Sequence, residues 1–300
     1  MGSGLSAGLG GQSLIASPIT MQVERFAAMG TRVELHLFGA VDRAAVDAAR
    51  RAIEAVDDAL TIHRPSPTTA LNARLMAGLP CQVDDPLLLA ALTGIAAAHR
   101  LTQGLFDPTA DAARPGAGWQ VVRFDRRSAR IEAASPVAFD FGGFGKGFAL
   151  DRACDALRGA GVTSAFLCAG ESSIAVIGAH PLGGGWPVAI PHPLAPERFL
   201  VELELRDQAL SISSTVGAGA NAPERAPMIR PSDGARITAA RTTVAVECRG
   251  AHAEVMSTAL LVADAAQARN FLDGGQGRHH LFDFSPGRAM PAPAYEVSLQ

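Results

Sequence analysis

Two short stretches of the sequence carry residue types that could bind a phosphorylated ligand and a cation. The first, FDFGGFGKGFALDRACDALRGAG at 139–161, places glycines and Lys146 between an apolar run and an amphipathic run. A glycine turn that enters a helix can present backbone N–H groups and the helix dipole to an anion, and a lysine adds positive charge. The pattern is neither GxGxxG in a long βαβ unit nor GxxxxGK[ST]. A tight strand-to-helix turn without a ligand is therefore the alternative interpretation.

The second stretch, AEVMSTAL at 253–260, places Glu254 and Thr258 four positions apart. On a helix these two residues share one face and lie one turn apart. A carboxylate and a hydroxyl in that arrangement can hold a hard cation such as Mg²⁺. A solvated helix face or a capped turn has the same spacing, so the spacing alone leaves both interpretations open.

Three further segments have turn chemistry. GLFDPTA (104–110) places Asp107 before a proline, with Thr109 two positions later, and MGTRVEL (29–35) is a glycine turn that enters a strand. GESS (170–173) could expose a nucleophilic serine, but it lacks GxSxG, and no acid or base partner can be located for it. A serine hydrolase is therefore disfavoured.

Strands and helices alternate along the segments that must position these residues. Helical spacing predicts helices at 41–60, about 147–158 and 251–272, and Asp85 can cap another helix that ends near His99. Turn chemistry is expected at 63–72, and a long glycine- and proline-rich loop at 217–237. Alternating or β-branched runs predict strands at 32–39, 119–133 (a hairpin), 137–141, 160–168, 173–178, 186–190, 199–205, 209–213, 242–248 and 279–284.

The order of strands, helices and strands occurs roughly twice, which predicts an α+β fold of two mixed halves. Residues 1–19 are rich in glycine and serine and are expected to be a flexible segment, followed by a single domain over 20–300 that is built of two packed halves. The start of the chain shows neither a signal peptide nor a lipobox, so the sequence leaves the localisation open.

Composition excludes several classes of partner and site. Of the 300 residues, 48% are hydrophobic and 18% charged, and the formal net charge of −3 with scattered basic residues argues against nucleic-acid binding. The longest apolar run, at 86–98, is too short to span a bilayer. Four dispersed cysteines without a CxxC pair indicate neither a zinc site nor a disulfide framework.

In their order along the chain, these segments resemble the motifs of the ApbE family, the FAD:protein FMN transferases. AMGTRVELHL, IHRPSPTTALNAR, GLFDPT and AEVMSTALLV each resemble a family segment, over about residues 24–272. FDFGGFGKGFALDRACDALRGAGVTSAFL closely matches the family's D-L-G-G-x-x-K-G-y-x-x-D helix entry and is the most specific of the matches. The resemblance implies a T-fold-like α+β architecture with largely antiparallel sheets and a ligand cleft between two halves.

The resemblance also implies an activity. Such enzymes use Mg²⁺ to split the pyrophosphate of FAD, transfer FMN to a serine or threonine hydroxyl of an acceptor protein, and release AMP. The alternative within the family is a divergent member that binds or slowly hydrolyses FAD without transfer. The alternative from another class is a module that stores or delivers flavin. An unrelated phosphohydrolase is a more distant alternative, because no cluster of metal-binding carboxylates supports it.

Carried over by position, the resemblance assigns roles to individual residues. Glu254, Thr258 and Lys146 would serve catalysis, and Glu254, Thr258 and the carbonyl of Gly145 would bind the metal. Lys146 would face phosphate or support the turn. The residues expected to bind FAD are Met29, Gly30, Thr31, Asp107, Thr109, Asp140, Gly142, Gly143, Gly145, Lys146 and Gly147.

Three segments depart from the family pattern. Glu254 stands where the family has the aspartate ligand, and PMIRPSDG places Pro227 and Arg230 where the family has a histidine and an aspartate. GESSI (170–174) stands where the family has G-G-D-I, without its acid. These departures bear on transfer activity more than on the fold.

Overall fold

The computed structural model describes residues 20–114, 118–216, 228–274 and 277–284. Its main element is a seven-stranded sheet of order β1-β2-β6-β7-β10-β11-β12 in which every neighbouring pair is antiparallel. The strands of the described ranges are β1 (Met21–Ala28), β2 (Thr31–Phe38), β3 (Cys81–Gln82), β4 (Val122–Asp125), β5 (Arg130–Ala133), β6 (Ala165–Ala169), β7 (Ser173–Ile177), β8 (Trp186–His192), β9 (Ala195–Leu205), β10 (Ala209–Ser214), β11 (Arg241–Glu247) and β12 (Arg278–Asp283).

Helices cover one face of this sheet, and a hairpin covers the other. The helices are α1 (Arg43–Leu60), α2 (Pro67–Met76), α3 (Pro86–Leu101), α4 (Gly145–Gly159), α5 (Gly250–Val262) and α6 (Ala265–Gly274). Helix α4 packs on β6 and β7, α5 packs on β10 and β11, and α1 packs on α4. On the opposite face the β8–β9 hairpin contributes Trp186, Ile190 and Leu205 to a second apolar cluster. Strands β3, β5 and β4 form a small separate sheet.

These elements confirm the predicted α+β class with largely antiparallel sheets. The division into two packed halves stays a prediction, while the main sheet is continuous from β1 to β12. Residues 1–19 lie outside the described ranges. None of the helices within those ranges is both long enough and apolar enough to cross a bilayer. The cysteines at 81, 154, 168 and 248 are all free.

The strand predicted at 137–141 is wrong. This segment pairs with no other strand, because the side chain of Asn72 takes the place of a neighbouring strand at Phe139. The Asn72 amide donates to the Phe139 carbonyl at 2.9 Å and accepts from the Phe139 N–H at 2.7 Å. The segment that enters the glycine turn is thus held by α2 and not by a sheet.

Two helix boundaries also differ from the prediction. The segment 63–72 is not all turn, because Ser66 and Thr69 form a capping box and Pro67 occupies the first position of α2. The single helix predicted at 251–272 is divided into α5 and α6 by the extended backbone of Ala263. Asp264 then caps α6 by accepting from the N–H groups of its first turn.

The pairing of His279 with Glu247 makes stability depend on pH. His279 Nε2 lies 2.7 Å from Glu247 Oε1, and Nδ1 lies 3.2 Å from the carbonyl oxygen of Phe271 in α6. Burial lowers the pKa of His279, but the hydrogen bonds to Glu247 and Phe271 and the charge of Glu247 outweigh it, so the pKa is raised. The folded protein therefore retains a proton that the unfolded chain releases.

We expect this contribution to be complete below about pH 6.5, the ordinary pKa of histidine, and to be lost as pH rises through the raised pKa. Urea unfolding from about pH 6 to about pH 9 should show the stability advantage over His279→Gln shrinking as pH rises. His280→Gln is the control, because burial lowers the pKa of His280 and moves its titration to the acid side. An advantage over His279→Gln that stays constant across this range would contradict the prediction.

Candidate functional site

The Gly-Lys turn and the Glu-Thr helix lie side by side, because α4 and α5 cross at two glycines. Gly147 and Gly250 are both buried, and a Cβ added to Gly250 would lie 2.6 Å from the Gly147 carbonyl oxygen. At the same crossing, Asp151 of α4 accepts from the N–H groups of Gly250 (2.6 Å) and Ala251 (3.0 Å), which caps α5. The spacing between Lys146 and Glu254 is thus set by backbone contact.

Gly147→Ala is expected to destabilise the fold by about 1–3 kcal/mol or more, because the new methyl group would overlap the Gly250 backbone. Urea unfolding measures the change. Gly159→Ala, at the other end of α4, is the matched control. Its Cβ would meet open space, so that variant should be neutral or up to about 1 kcal/mol more stable. Equal stability of the two variants would contradict the close helix crossing.

Glu254 is the central side chain of the site. It is 2% exposed, and its Oε1 accepts from Ser173 Oγ at 2.7 Å and lies 3.0 Å from Lys146 Nζ. Its Oε2 is buried and has no hydrogen-bond partner within the described part of the chain. Buried carboxylate oxygens are normally hydrogen-bonded, paired or bound to metal. This oxygen is therefore free to bind a cation or its water.

Thr258 is half-buried on the same face of α5 and lies against the glycine turn. A Cβ added to Gly143 would meet Thr258 Oγ1 at 3.2 Å, so only a glycine at 143 lets the turn approach this closely without displacing the hydroxyl. Across the described ranges, no group of three or more His, Cys, Asp or Glu side chains could hold a metal. A cation here would take oxygen atoms from Glu254, Thr258 and the backbone, which is the donor set of a hard ion.

A two-residue turn between β1 and β2 closes over the start of α4. Met29 and Gly30 have φ of 55° and 68°, the left-handed pair of a type I′ hairpin. A Cβ added to Gly145 would lie 2.9 Å from Met29 Cε, so the methionine covers the first residue of α4. The predicted residues Met29, Gly30 and Gly145 therefore lie together.

A cleft of about 580 Å³ opens beside this turn. Of the residues predicted to bind FAD, Met29, Gly30, Thr31 and Lys146 line it, together with the 170–172 turn. Phe144 precedes α4 and provides no side-chain cap, and the Gly145 N–H donates to the Phe141 carbonyl oxygen at 2.7 Å. Lys146, in the first turn of α4, thus brings to the cleft an ammonium group and the positive end of the helix dipole, both of which favour an anionic ligand.

Glu34 also lines this cleft, but it is already paired. A hydrogen bond from His36, then one from Arg25 and the charges of Arg32 and Arg25, hold the pKa of Glu34 below its usual range against the effect of burial. Next to it, burial raises the pKa of the Cys168 thiol. Neither shift favours a role as a general base or as a thiolate nucleophile.

Some residues predicted to bind FAD stabilise the turns at 107–109 and 140–142 and do not line this cleft. Asp107 Oδ1 accepts from the N–H (2.8 Å) and hydroxyl (2.6 Å) of Thr109, and its Oδ2 accepts from the Trp119 N–H. Asp140 is exposed and accepts from the Gly142 N–H at 2.8 Å. Asp107, Thr109, Asp140 and Gly142 thus stabilise two turns of the chain. Their roles toward FAD, like that of the buried Gly147, stay predictions.

The structure adds Ser173 to the site and describes part of the altered loop. The sequence marks Ser173 only as part of GESS, a possible nucleophile turn, and does not predict its partner, since Glu254 lies 81 positions away. In the loop, Pro227 lies outside the described residues, whereas Arg230 Nη1 pairs with the exposed Asp233 at 2.7 Å. A bridge between Ile229 and Arg236 makes this segment a small hairpin.

Comparison with known proteins relates this chain to one family. The ApbE family model matches residues 29–282. A relative, the FAD:protein FMN transferase of Rhodobacter capsulatus, is 30% identical over 227 residues, which are 64% of this chain and 42% of that protein. The chain thus matches less than half of that relative's length.

Solved structures share the fold. The ApbE protein of Thermotoga maritima superposes with a TM-score of 0.76 at 20% identity, covering 92% of this chain and 97% of that chain. The flavin transferase ApbE of Vibrio cholerae superposes with a TM-score of 0.74 at 18% identity, covering 89% and 94%. At these identities the superpositions establish the architecture.

Proposed function

The chain belongs to the ApbE family, and from that premise we propose that it is a Mg²⁺-dependent flavin transferase. In this proposal it moves FMN from FAD to a serine or threonine hydroxyl of an acceptor protein and releases AMP. The name of the Rhodobacter capsulatus relative, FAD:protein FMN transferase, supports this chemistry.

The observation that carries the proposal is the unpartnered Oε2 of Glu254. An unpaired polar atom in the interior costs about 1–3 kcal/mol, and more when it is charged. A bound Mg²⁺ offsets that cost and suits the oxygen donors of Glu254 and Thr258. The residues present therefore fit the ion that the family resemblance implies.

Each part of the site then has a task. A divalent cation, when bound, neutralises the pyrophosphate and stabilises the charge that develops on the departing AMP. Lys146 and the N-terminus of α4 attract the phosphates toward Glu254, and the Met29–Gly30 turn borders the adjoining cleft. The acceptor hydroxyl supplies the nucleophile, so the enzyme needs no serine nucleophile of its own.

In the proposed transfer one bond to phosphorus forms and one breaks, so no further reactant is needed. The acceptor oxygen bonds to the phosphorus of the FMN portion, and the bond between that phosphorus and the bridging oxygen breaks. AMP leaves with the bridging oxygen, and the acceptor hydroxyl loses its proton to solvent or to a base.

One observation favours the alternative, an FAD-binding protein or FAD pyrophosphatase without transfer. Arg230 is engaged by Asp233, so the position where the resemblance expects an aspartate holds a paired cation. In that case water would replace the acceptor hydroxyl, or no bond would break.

Incubation with FAD and Mg²⁺, with and without candidate acceptor proteins, distinguishes these functions. We expect AMP release by chromatography and a mass increase equal to the FMN moiety on the acceptor. AMP release without a mass increase would support the pyrophosphatase, and FAD binding without AMP release would support the binding module. Protein that neither binds nor consumes FAD would overturn the proposal.

A further inference from the structure

We propose that Ser173 is the positioning residue of the cation site. Together with Lys146 it occupies Oε1 of Glu254, and this leaves Oε2 as the single carboxylate oxygen that binds a divalent cation. The inference rests on the function proposed above, because it concerns how the same site holds its metal.

Ser173 is held in place by burial and by strand pairing on both sides. It is 1% exposed and begins β7, where its backbone is paired on one side with Ala169 of β6 and on the other with Ser211 of β10. Its hydroxyl lies 2.7 Å from Glu254 Oε1, closer than Lys146 Nζ at 3.0 Å. The donor is therefore part of the sheet, while Glu254 extends toward it from α5.

Glutamate needs such a donor because its carboxylate is carried on three rotatable bonds. Lys146 is a mobile point charge and by itself could pair with either oxygen of Glu254. A serine hydroxyl attached to a strand selects Oε1, so the carboxylate presents Oε2 alone. Coordination through one oxygen suits Mg²⁺, which requires near-octahedral geometry and keeps several waters.

A neighbouring group of buried hydroxyls is separate from this contact. Ser257 Oγ bonds to Ser211 Oγ at 3.0 Å and to Ser213 Oγ at 2.8 Å, and it reaches Glu254 only at the backbone carbonyl. Ser211 is 3% exposed, on the strand next to Ser173. It therefore provides a matched control: a buried serine whose loss leaves the Glu254 carboxylate untouched.

The test measures Mn²⁺ binding to the full chain without FAD, from the electron paramagnetic resonance signal of free Mn²⁺. Ser173→Ala should weaken Mn²⁺ binding about 10- to 100-fold, the usual cost of removing a partner that orients a metal ligand. Ser173→Thr keeps the hydroxyl and should restore most of the affinity. Ser211→Ala should bind Mn²⁺ like the unaltered protein even if its melting temperature falls.

Each outcome decides the inference. Unchanged Mn²⁺ affinity in Ser173→Ala overturns it, and so does an equal loss in Ser211→Ala, which would indicate a general effect of removing buried hydroxyls. Absence of Mn²⁺ binding to the unaltered protein also overturns it. Quenching of FAD fluorescence, measured separately, then shows whether the flavin site survives. Mn²⁺ binding that depends on Ser173, without FAD turnover, supports the inference and contradicts the transferase.

Discussion

Glu254→Gln is expected to reduce the proposed Mg²⁺-dependent FAD turnover at least about 100-fold while leaving the protein folded, since loss of the proposed metal ligand would remove several kcal/mol of transition-state stabilisation. Glutamine keeps the size of the side chain and can still accept from Ser173, which limits the structural change. It presents no negative charge to a cation and leaves Lys146 without its ion-pair partner. The measurement is AMP release from FAD, with circular dichroism to check the fold.

A matched control separates the loss of this ligand from the loss of any ion-paired carboxylate. The Glu24 side chain is 13% exposed and pairs with Arg43 and Arg50 of α1. Glu24→Gln makes the same chemical change at a partly buried, ion-paired carboxylate and should leave turnover within about 2-fold, since substitutions outside the site act mainly on stability. Full turnover in Glu254→Gln would remove the metal assignment, and an equal loss in both variants would indicate a stability effect.

The strongly periodic elements of this fold could be predicted from the sequence. Helix α1 was visible from its apolar spacing, and Asp85 caps α3 as expected by accepting from the Leu88 N–H at 2.7 Å. The strand expected at 137–141 shows the limit of such patterns. Its apolar alternation is real, but the partner for Phe139 is the side chain of Asn72, 67 positions away. No local pattern contains that information.

The candidate site could likewise be predicted from the sequence only in part. The Gly-Lys turn and the Glu254–Thr258 spacing were visible locally, because each depends on residues within one turn of helix. The connection between them, Lys146 to Glu254 with Ser173 as a third member, depends on the way α4, α5 and β7 pack. The sequence alone counted GESSI as a segment that had lost its acid. The structure gives the last serine of that segment a carboxylate partner.

Asp151→Ala is expected to be the most destabilising of the substitutions considered, with a loss of about 2–6 kcal/mol from two buried backbone N–H groups left without an acceptor. These are the N–H groups of Gly250 and Ala251, at the start of the helix that carries Glu254. Arg249 would also lose a neighbouring carboxylate at 3.5 Å. The midpoint of urea unfolding measures the loss.

Two further variants, Asp151→Asn and Asp155→Ala, show whether the loss of stability comes from the cap on α5 or from the interaction with Arg249. Burial raises the pKa of Asp151 more than the hydrogen bonds from Ala251 and Gly250 and the charge of Arg249 lower it, so burial disfavours the charged form of this side chain. Asp151→Asn keeps one acceptor oxygen and should therefore lose less stability than Asp151→Ala. Asp155→Ala removes a more exposed partner of Arg249 and should cost no more than about 1 kcal/mol. Equal losses in Asp151→Ala and Asp155→Ala would mean that the interaction with Arg249, and not the cap on α5, holds the two helices in place.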